Sequence, residues 1–482
     1  MVTTVGVIMA GIDSRIVIIG LPQVAAGIHA DAEQAIWITQ AYVLGSTVAL
    51  LLIGRVSDVV GRVKMYASGF GVFTVGSLLT SIALDPTQVI IFRFIQGLGS
   101  AILFTNSAAM IVDATPEREL GYFLGINQVA FRMGAMAGLT LSGIILTVFV
   151  DWRALFYINV PIGIFGTVWA QRKLREIAKL EKGAPIDWAG FATFTVFISA
   201  TLLALTLAAY GIGEDLTVTA LAVLAVVFLV AFVFIELRNK YPLLDLKLLR
   251  IREFSGGVVA QLLNAIAFGA VLLLLSLYFQ LVLGMDPLSA GLIILPLDIV
   301  TVILGPLSGK LSDKYGHMPF TTGGLALVSL SLFLFATLDV NTPRTQQIVQ
   351  LIVYMVIFGG GLGIFASPNM SSIMGSVPSA RRGIASAFRA TFFNMGFVIS
   401  LNLAILIMTF TIPYGIVSQI IASINPVTIT PADKVLFADS LKSTYFWMGI
   451  LNTIAIVPSM LRGRRSRVNR GATPREIPEM DM

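Results

Sequence analysis

Long apolar runs, separated by short charged or turn-forming stretches, follow one another along the whole chain. A helix needs about 20 residues to cross a hydrocarbon core of about 30 Å. Fourteen runs of at least that order occur, at roughly 4–26, 36–54, 65–84, 87–111, 120–148, 154–172, 187–209, 216–236, 255–282, 288–309, 320–338, 347–371, 383–411 and 442–461. The pattern predicts an all-α polytopic membrane protein with 14 transmembrane helices and both chain ends on one side of the bilayer.

Two of the charged interruptions share a pattern. Gly54, Ser57-Asp58 and Gly61-Arg62 lie between the second and third runs, and Gly309, Ser312-Asp313 and Gly316 lie between the tenth and eleventh. A tight turn needs glycines for close packing and unusual backbone angles, while an aspartate suits a helix end or an arginine partner. One such stretch is an ordinary charged loop. Two at matching places predict two related halves, each closing around its own hinge. The expected domains are a six-helix bundle over 1–175, two inserted helices with basic flanks over 176–250, a second six-helix bundle over 251–462 and a basic, disordered tail over 463–482. The inserted helices hold no ionisable residue between Asp187 and Glu236 except Glu214-Asp215, so they are expected to face lipid. Small residues mark close approach. Gly134, Gly138 and Ser142 recur every four residues in the fifth run, and Gly359 to Gly363 with Pro368-Asn369 should weaken and bend the twelfth. Both features fit static packing, or surfaces that slide and bend during transport.

Only 12% of the residues are charged, against about 25% in soluble proteins, and mean hydropathy is +0.89. Cysteine is absent, and the two histidines, His29 and His317, fall in expected loops, which leaves no thiol chemistry, histidine relay or metal cluster. The net charge of +6 does not point to nucleic acid, because its distribution explains it. Loops and tail on the side of the termini carry 24 of the 32 Lys and Arg, and the opposite loops only Arg153, Arg344, Lys434 and Lys442. Positive loops stay cytoplasmic, so both termini are expected inside a cell membrane, with basic segments meeting anionic headgroups. No Lys or Arg precedes the first run and no cleavage pattern follows it, so no signal peptide is expected. The run begins almost at Met1, as though a few natural residues were missing. No phosphate-binding loop, nucleophile with a base, or cofactor motif is present, which argues against an enzyme, a resident cofactor and an ATP-driven pump in this chain.

Six charges fall inside apolar runs: Asp13, Arg15, Arg93, Arg132, Asp298 and Arg389. Unpaired, they would cost on the order of 15–20 kcal/mol together, more than the usual net stability of about 5–15 kcal/mol. Each must therefore face a partner or a wet cavity. Asp13 and Arg15, two positions apart, point to different faces of one helix and cannot pair well with each other. Gln96, Asn106, Gln128, Asn264, Gln280, Asn369 and Asn394 are further buried polar candidates. Phe104, Phe268, Tyr278, Phe365 and Phe393 could wall a cavity for a flat amphiphile, or simply face lipid and neighbouring helices.

These motifs resemble the major facilitator superfamily, and within it the fourteen-helix drug:proton antiporters. The stretch Gly54–Tyr66 is similar to that superfamily's signature between its second and third helices. Arg93 with Gln96, Gly97 and Gly99 is similar to a second signature. Asp13 with Gly20-Leu21-Pro22, and Asp151-Trp152-Arg153 with Asn159-Val160-Pro161, resemble the fourteen-helix branch. The chain departs from the branch where Gly138-Leu139 replaces a Gly-Pro and where Arg15 stands in place of a threonine. The resemblance implies a secondary transporter working by alternating access, monomeric, with a small-molecule substrate, protons and the lipid bilayer as its partners. It implies proton-coupled export of hydrophobic or cationic drug-like compounds, with Asp13 as the first choice for the proton and Asp298 as the second. Asp13 could instead be a structural anion satisfying Arg93 or Arg15. It also implies that the fifth helix packs on the tenth, where Arg132 and Asp298 are expected to pair or to share water between the halves. Arg15, Arg93, Gln96, Asn106, Gln128, Arg132, Asn264, Phe268, Asn369, Arg389 and Asn394 are the expected cavity residues. Gly54, Asp58, Gly61, Arg62, Gly309, Asp313, Gly316, Gly134 and Gly138 are expected to serve gating. Four buried Arg against two Asp leave an excess of positive charge, which suits the alternative of an organic-anion substrate. A sensor or scaffold that has kept the fold without transporting is a third reading.

Overall fold

The computed structural model of the chain describes residues 2–115, 120–177, 185–210, 215–377, 382–413, 416 and 430–462. Among them no strand occurs, and fourteen long helices do, besides a short 3-10 helix over Leu246–Arg250. They are α1 (Val2–Gly27), α2 (Ala32–Val60), α3 (Arg62–Ser81), α4 (Pro86–Ala114), α5 (Leu120–Phe149), α6 (Ala154–Lys173), α7 (Trp188–Tyr210), α8 (Asp215–Arg238), α9 (Arg252–Val282), α10 (Pro287–Tyr315), α11 (His317–Phe335), α12 (Arg344–Gly375), α13 (Arg382–Thr409) and α14 (Pro431–Leu461). Thirteen are long and apolar enough to cross a membrane. The fourteenth, α3, is rich in Gly, Ser and Thr. It turns hydroxyls back onto its own backbone, as Thr74 does on the Phe70 carbonyl at 2.6 Å and Thr80 on the Gly76 carbonyl at 2.8 Å. The tail 463–482 and much of the stretch 412–441 expected over the outer mouth lie outside the described residues.

The helices pair in the same order twice. In the first six, α1 packs on α5, α2 on α4, and α3 on α4 and α6; eight helices later α9 packs on α13, α10 on α12, and α11 on α12 and α14. The halves meet where α5 lies along α10, α2 along α13, and α1 against α9. Two apolar clusters join them: one toward the face opposite the termini, with Ile16, Ile19 and Val24 of α1 and Leu139 of α5 against Leu274 and Leu277 of α9 and Ile294 of α10, and one with Leu44, Val48 and Leu51 of α2 against Phe254 and Val258 of α9 and Phe388 of α13. The inserted pair differs from expectation. Helix α8 is largely exposed, as a lipid-facing helix would be, but α7 packs on both α2 and α13 and so covers the seam between the halves. The reason is polar as well as apolar. Asn402 of α13 exchanges hydrogen bonds with Gln40 of α2 at 2.8 and 3.1 Å, and Thr206 of α7 donates to the same Asn402 at 3.3 Å.

The charged hinges are shorter than the sequence pattern implies. Helix α2 runs on through Gly54 and Asp58 to Val60, and only Gly61, at φ 113°, stands between it and α3. Gly316, at φ 91°, does the same between α10 and α11, so His317 opens a helix instead of lying in a loop. In both turns the glycine N–H closes the preceding helix, on the Ser57 carbonyl at 2.9 Å and the Ser312 carbonyl at 2.8 Å. An L-residue rarely adopts such angles. Gly61→Ala should therefore destabilise the protein by about 1–3 kcal/mol, read as a lower thermal midpoint in detergent. Gly54→Ala is the control, since nothing lies within 4 Å of the space its Cβ would take. An equal loss in both variants would remove the backbone explanation.

The glycines of α12 serve close packing. The helix is continuous from Arg344 to Gly375 with Pro368 inside it, and Gly359 and Gly361 lie directly against α10 and α11. Gly134 and Gly138 of α5 press on the Ile8 and Ile12 carbonyls of α1, leaving no room for a Cβ. Across the halves α5 uses Gly143, whose Cβ position is 2.6 Å from the Leu288 Cα of α10.

Candidate functional site

The six charges at membrane depth fall into two groups of different character. The first lies wholly inside the first half. Asp13 of α1 has no solvent exposure and accepts three side-chain hydrogen bonds: from Arg93 Nη1 at 2.6 Å, Gln96 Nε2 at 2.9 Å and Asn159 Nδ2 at 3.0 Å. Arg93 and Gln96, three residues apart, share one face of α4, and Arg93 Nη1 also donates to Gln96 Oε1 at 2.7 Å. Its Nε reaches the Ile38 carbonyl at 3.3 Å, and the guanidinium lies 4.3 Å from the centre of the Tyr42 ring. Asn159 Nδ2 donates to Ser77 Oγ at 3.2 Å as well. The carboxylate is therefore surrounded by donors from α4 and α6, and water has no access to it. Asn159 was not among the expected site residues. Its signal was the Asn159-Val160-Pro161 motif, read for family and not for chemistry.

The second group lies between the halves. One step along α1, two residues turn the side chain by about 200°, so Arg15 faces the other bundle and donates to Asp298 Oδ2 of α10 at 2.5 Å. This corrects the direct Arg132–Asp298 ion pair that was one of the two expected forms, and leaves the other, a shared water network, open. Arg132 of α5 is within electrostatic range of both members of the pair, and Arg389 of α13 is within range of Arg132. Neither Arg132 nor Arg389 makes a hydrogen bond or ion pair among the described residues, and Arg389 Nε is buried without a partner. Gln128, one turn before Arg132, and Asn394 are half-buried and likewise make no hydrogen bond among the described residues. Phe393, one turn beyond Arg389, packs on Phe268 with ring centres 6.0 Å apart, and both rings are half-buried.

The remaining expected cavity residues are already engaged within their own bundles. Asn106 bonds the Ile102 carbonyl of its own helix, Asn264 pairs with Asn452 at 2.7 Å, and Asn369 reaches Gln261 and the Gly257 carbonyl at 3.3 Å. Gln280 bonds the Ile19 carbonyl at 3.0 Å, closing α9 on α1 near the far face, and Tyr278 and Phe365 are buried. Of the expected aromatic walls, Phe268, Phe393 and Phe104, the last edge-on to Phe131, remain half-exposed.

At the terminal face Arg62, the first residue after Gly61, donates to Asp58 at 3.1 Å, to Asp113 of α4 and to the Ala109 carbonyl at 3.3 Å. Asp113, which sequence reasoning missed, thus ties the α2–α3 turn to the end of α4. The second copy is built differently. His317 stands where the first has Arg62, and Asp313 is exposed with no hydrogen bond or ion pair among the described residues. Gly309 lies against Ser367 of α12, 2.6 Å from its Oγ at the Cβ position.

Two bundles with the same helix pairing, joined along α5 and α10 and along α2 and α13 and holding charged groups between them, form a polytopic membrane protein of the kind that one superfamily of transporters comprises. The model of the Major Facilitator Superfamily matches residues 3–401, and the chain belongs to that superfamily. It is 31% identical over 395 residues to the riboflavin transporter RibZ of Clostridioides difficile (strain 630), covering 82% of this chain and 84% of the relative. It is 28% identical over 401 residues to multidrug resistance protein 3 of Bacillus subtilis (strain 168), covering 83% and 77%. The tetracenomycin C resistance and export protein of Streptomyces glaucescens is 27% identical over 393 residues, covering 81% and 72%.

Proposed function

We propose that the chain is a proton-coupled secondary transporter of the fourteen-helix branch, working by alternating access, and that it moves a small organic anion. The observation that carries this reading is the charge balance between the halves. Arg15, Arg132 and Arg389 stand there against Asp298 alone, and two of the three arginines have no partner among the described residues. An unpaired charge at that depth costs about 2.5–3.5 kcal/mol, which cavity water or an anionic substrate offsets and a cationic one does not. We assign the proton to Asp298 and not to Asp13. Rocking of the halves must loosen or remake a pair that spans them, whereas the Asp13 cluster moves with the first half as one body. In this reading Arg62, Asp58 and Gly61 set the terminal gate, with Gly54, Gly309, Asp313 and Gly316 beside them. The units that move are 1–175 and 251–462, with 176–250 as the inserted pair.

A second reading, proton-driven export of hydrophobic or cationic drug-like compounds, is favoured by the names of the Bacillus and Streptomyces relatives. The charge asymmetry of the loops supports cytoplasmic termini in a cell membrane for either, and we take the transporter as a monomer. The discriminating experiment is proton flux in proteoliposomes with an imposed pH gradient, adding lipophilic cations and small aromatic carboxylates in turn. Flux with the carboxylates, lost in Asp298→Asn, is the expected result. A gradient collapsed by the cations alone would leave the export reading standing and remove ours.

A further inference from the structure

We infer that Pro22 is a positioning residue, giving α1 a hydrogen-bond seat on which Ser276 and Gln280 of α9 latch the face opposite the termini. The inference rests on alternating access between the halves and on neither choice of substrate.

An α-helix bonds each N–H to the carbonyl four residues back, and proline has no N–H to give. Pro22 stands inside α1, which continues to Gly27, so the Ile18 carbonyl lacks its donor from position 22. The proline ring also crowds that carbonyl and turns it out of the ladder. A buried carbonyl needs a partner. The other half brings one: Ser276 Oγ of α9 donates to the Ile18 carbonyl at 3.2 Å, across 258 residues. The next carbonyl, of Ile19, accepts from Gln280 Nε2 at 3.0 Å, and the same amide donates to Ser276 Oγ at 3.0 Å. Gln23 Nε2, just past the proline, reaches Gln280 Oε1 at 3.4 Å. Ser276 and Ile19 have no solvent exposure, so water does not compete for these bonds.

The α9 side is unusual in backbone as well. Gln280 lies in a π turn over Tyr278–Val282, where the Leu283 N–H bonds the Tyr278 carbonyl five residues back at 3.1 Å. Such turns are rare and recur at functional sites. The Arg15–Asp298 pair lies one turn earlier on α1, so the Pro22 seat is the link nearer the face opposite the termini. Its bonds share Ser276 and Gln280 and must part together when that face opens. None of these groups titrates, so the latch sets the resting balance between the two open faces and does not itself respond to pH.

The test exploits the lack of cysteine, since one introduced thiol is then the only one in the chain. Full-length protein in nanodiscs carries Ile294→Cys, Leu51→Cys or Ala170→Cys, and the rate of reaction with a water-soluble maleimide is measured. Ile294 is sealed in the cluster with Ile19 and Leu277, Leu51 in the cluster of α2 with α13, and Ala170 inside the first bundle. Ser276→Ala and Gln280→Leu should each speed labelling at Ile294→Cys by about tenfold, the scale of one or two hydrogen bonds. They should slow it at Leu51→Cys and leave Ala170→Cys unchanged. Ser276→Thr keeps the hydroxyl and should keep the wild-type rates. Pro22→Ala gives Ile18 a donor within α1 and should act like Ser276→Ala, and combining the two should add little. Effects that multiply would overturn the positioning role of Pro22. No acceleration at Ile294→Cys, or an equal one at all three sites, overturns the latch alone. Acceleration at Ile294→Cys without slowing at Leu51→Cys removes alternating access, and with it this inference.

Discussion

Arg93→Gln should leave little folded protein. The substitution strands the Asp13 carboxylate, which has no solvent exposure, without its cation. Breaking a buried ion pair from one side costs about 3–5 kcal/mol, a large part of a net stability of about 5–15 kcal/mol. Gln96 and Asn159 still donate to Asp13, at 2.9 and 3.0 Å, but neutral amides do not replace the guanidinium charge. Asp13→Asn alone strands Arg93 in the same way. The double variant Asp13→Asn with Arg93→Gln removes both charges and keeps hydrogen-bonding groups in place, so it should recover more than half of the lost stability, measured as thermal midpoint and yield. Flux separates the two roles open to Asp13. A structural anion leaves the recovered double variant able to move protons with substrate; a proton carrier leaves it folded and uncoupled. We expect the first.

Asp298→Asn should fold and lose coupling. Its partner Arg15 keeps 20% of its side-chain surface and can bond the amide oxygen, so no sealed charge is created. Exchange of labelled substrate across proteoliposomes should continue, while accumulation driven by a pH gradient should fall by at least about tenfold, the scale of a site-to-site coupling of about 1.4 kcal/mol. Retention of gradient-driven accumulation would move the proton to another group.

Local pattern carries far in a chain of this kind. Hydropathy runs marked the fourteen spans, α3 among them, although its Gly, Ser and Thr leave it less apolar than the other thirteen. The paired glycine motifs announced two halves, and the structure repeats one pairing order in both. The hinges were misjudged in extent, since charged residues such as Asp58 and Arg62 are as compatible with helix ends as with loops, and only the positive φ of Gly61 separates α2 from α3. The inserted helices read as apolar all round, which fits α8. It hid the seam position of α7, which depends on partners in α2 and α13 far away in the chain.

The sequence by itself determined which charges lie at membrane depth, because their flanks are apolar and the bilayer sets the length of each flank. Only the tertiary structure decided who pairs with whom. Asp13 meets Arg93 across 80 residues and Arg15 meets Asp298 across 283, and those choices depend on how far each helix is rotated about its own axis. A shift of two positions along α1 exchanges a sealed node inside one bundle for a link between two. Hydropathy has the same value on both sides of that shift; the direction of a side chain does not.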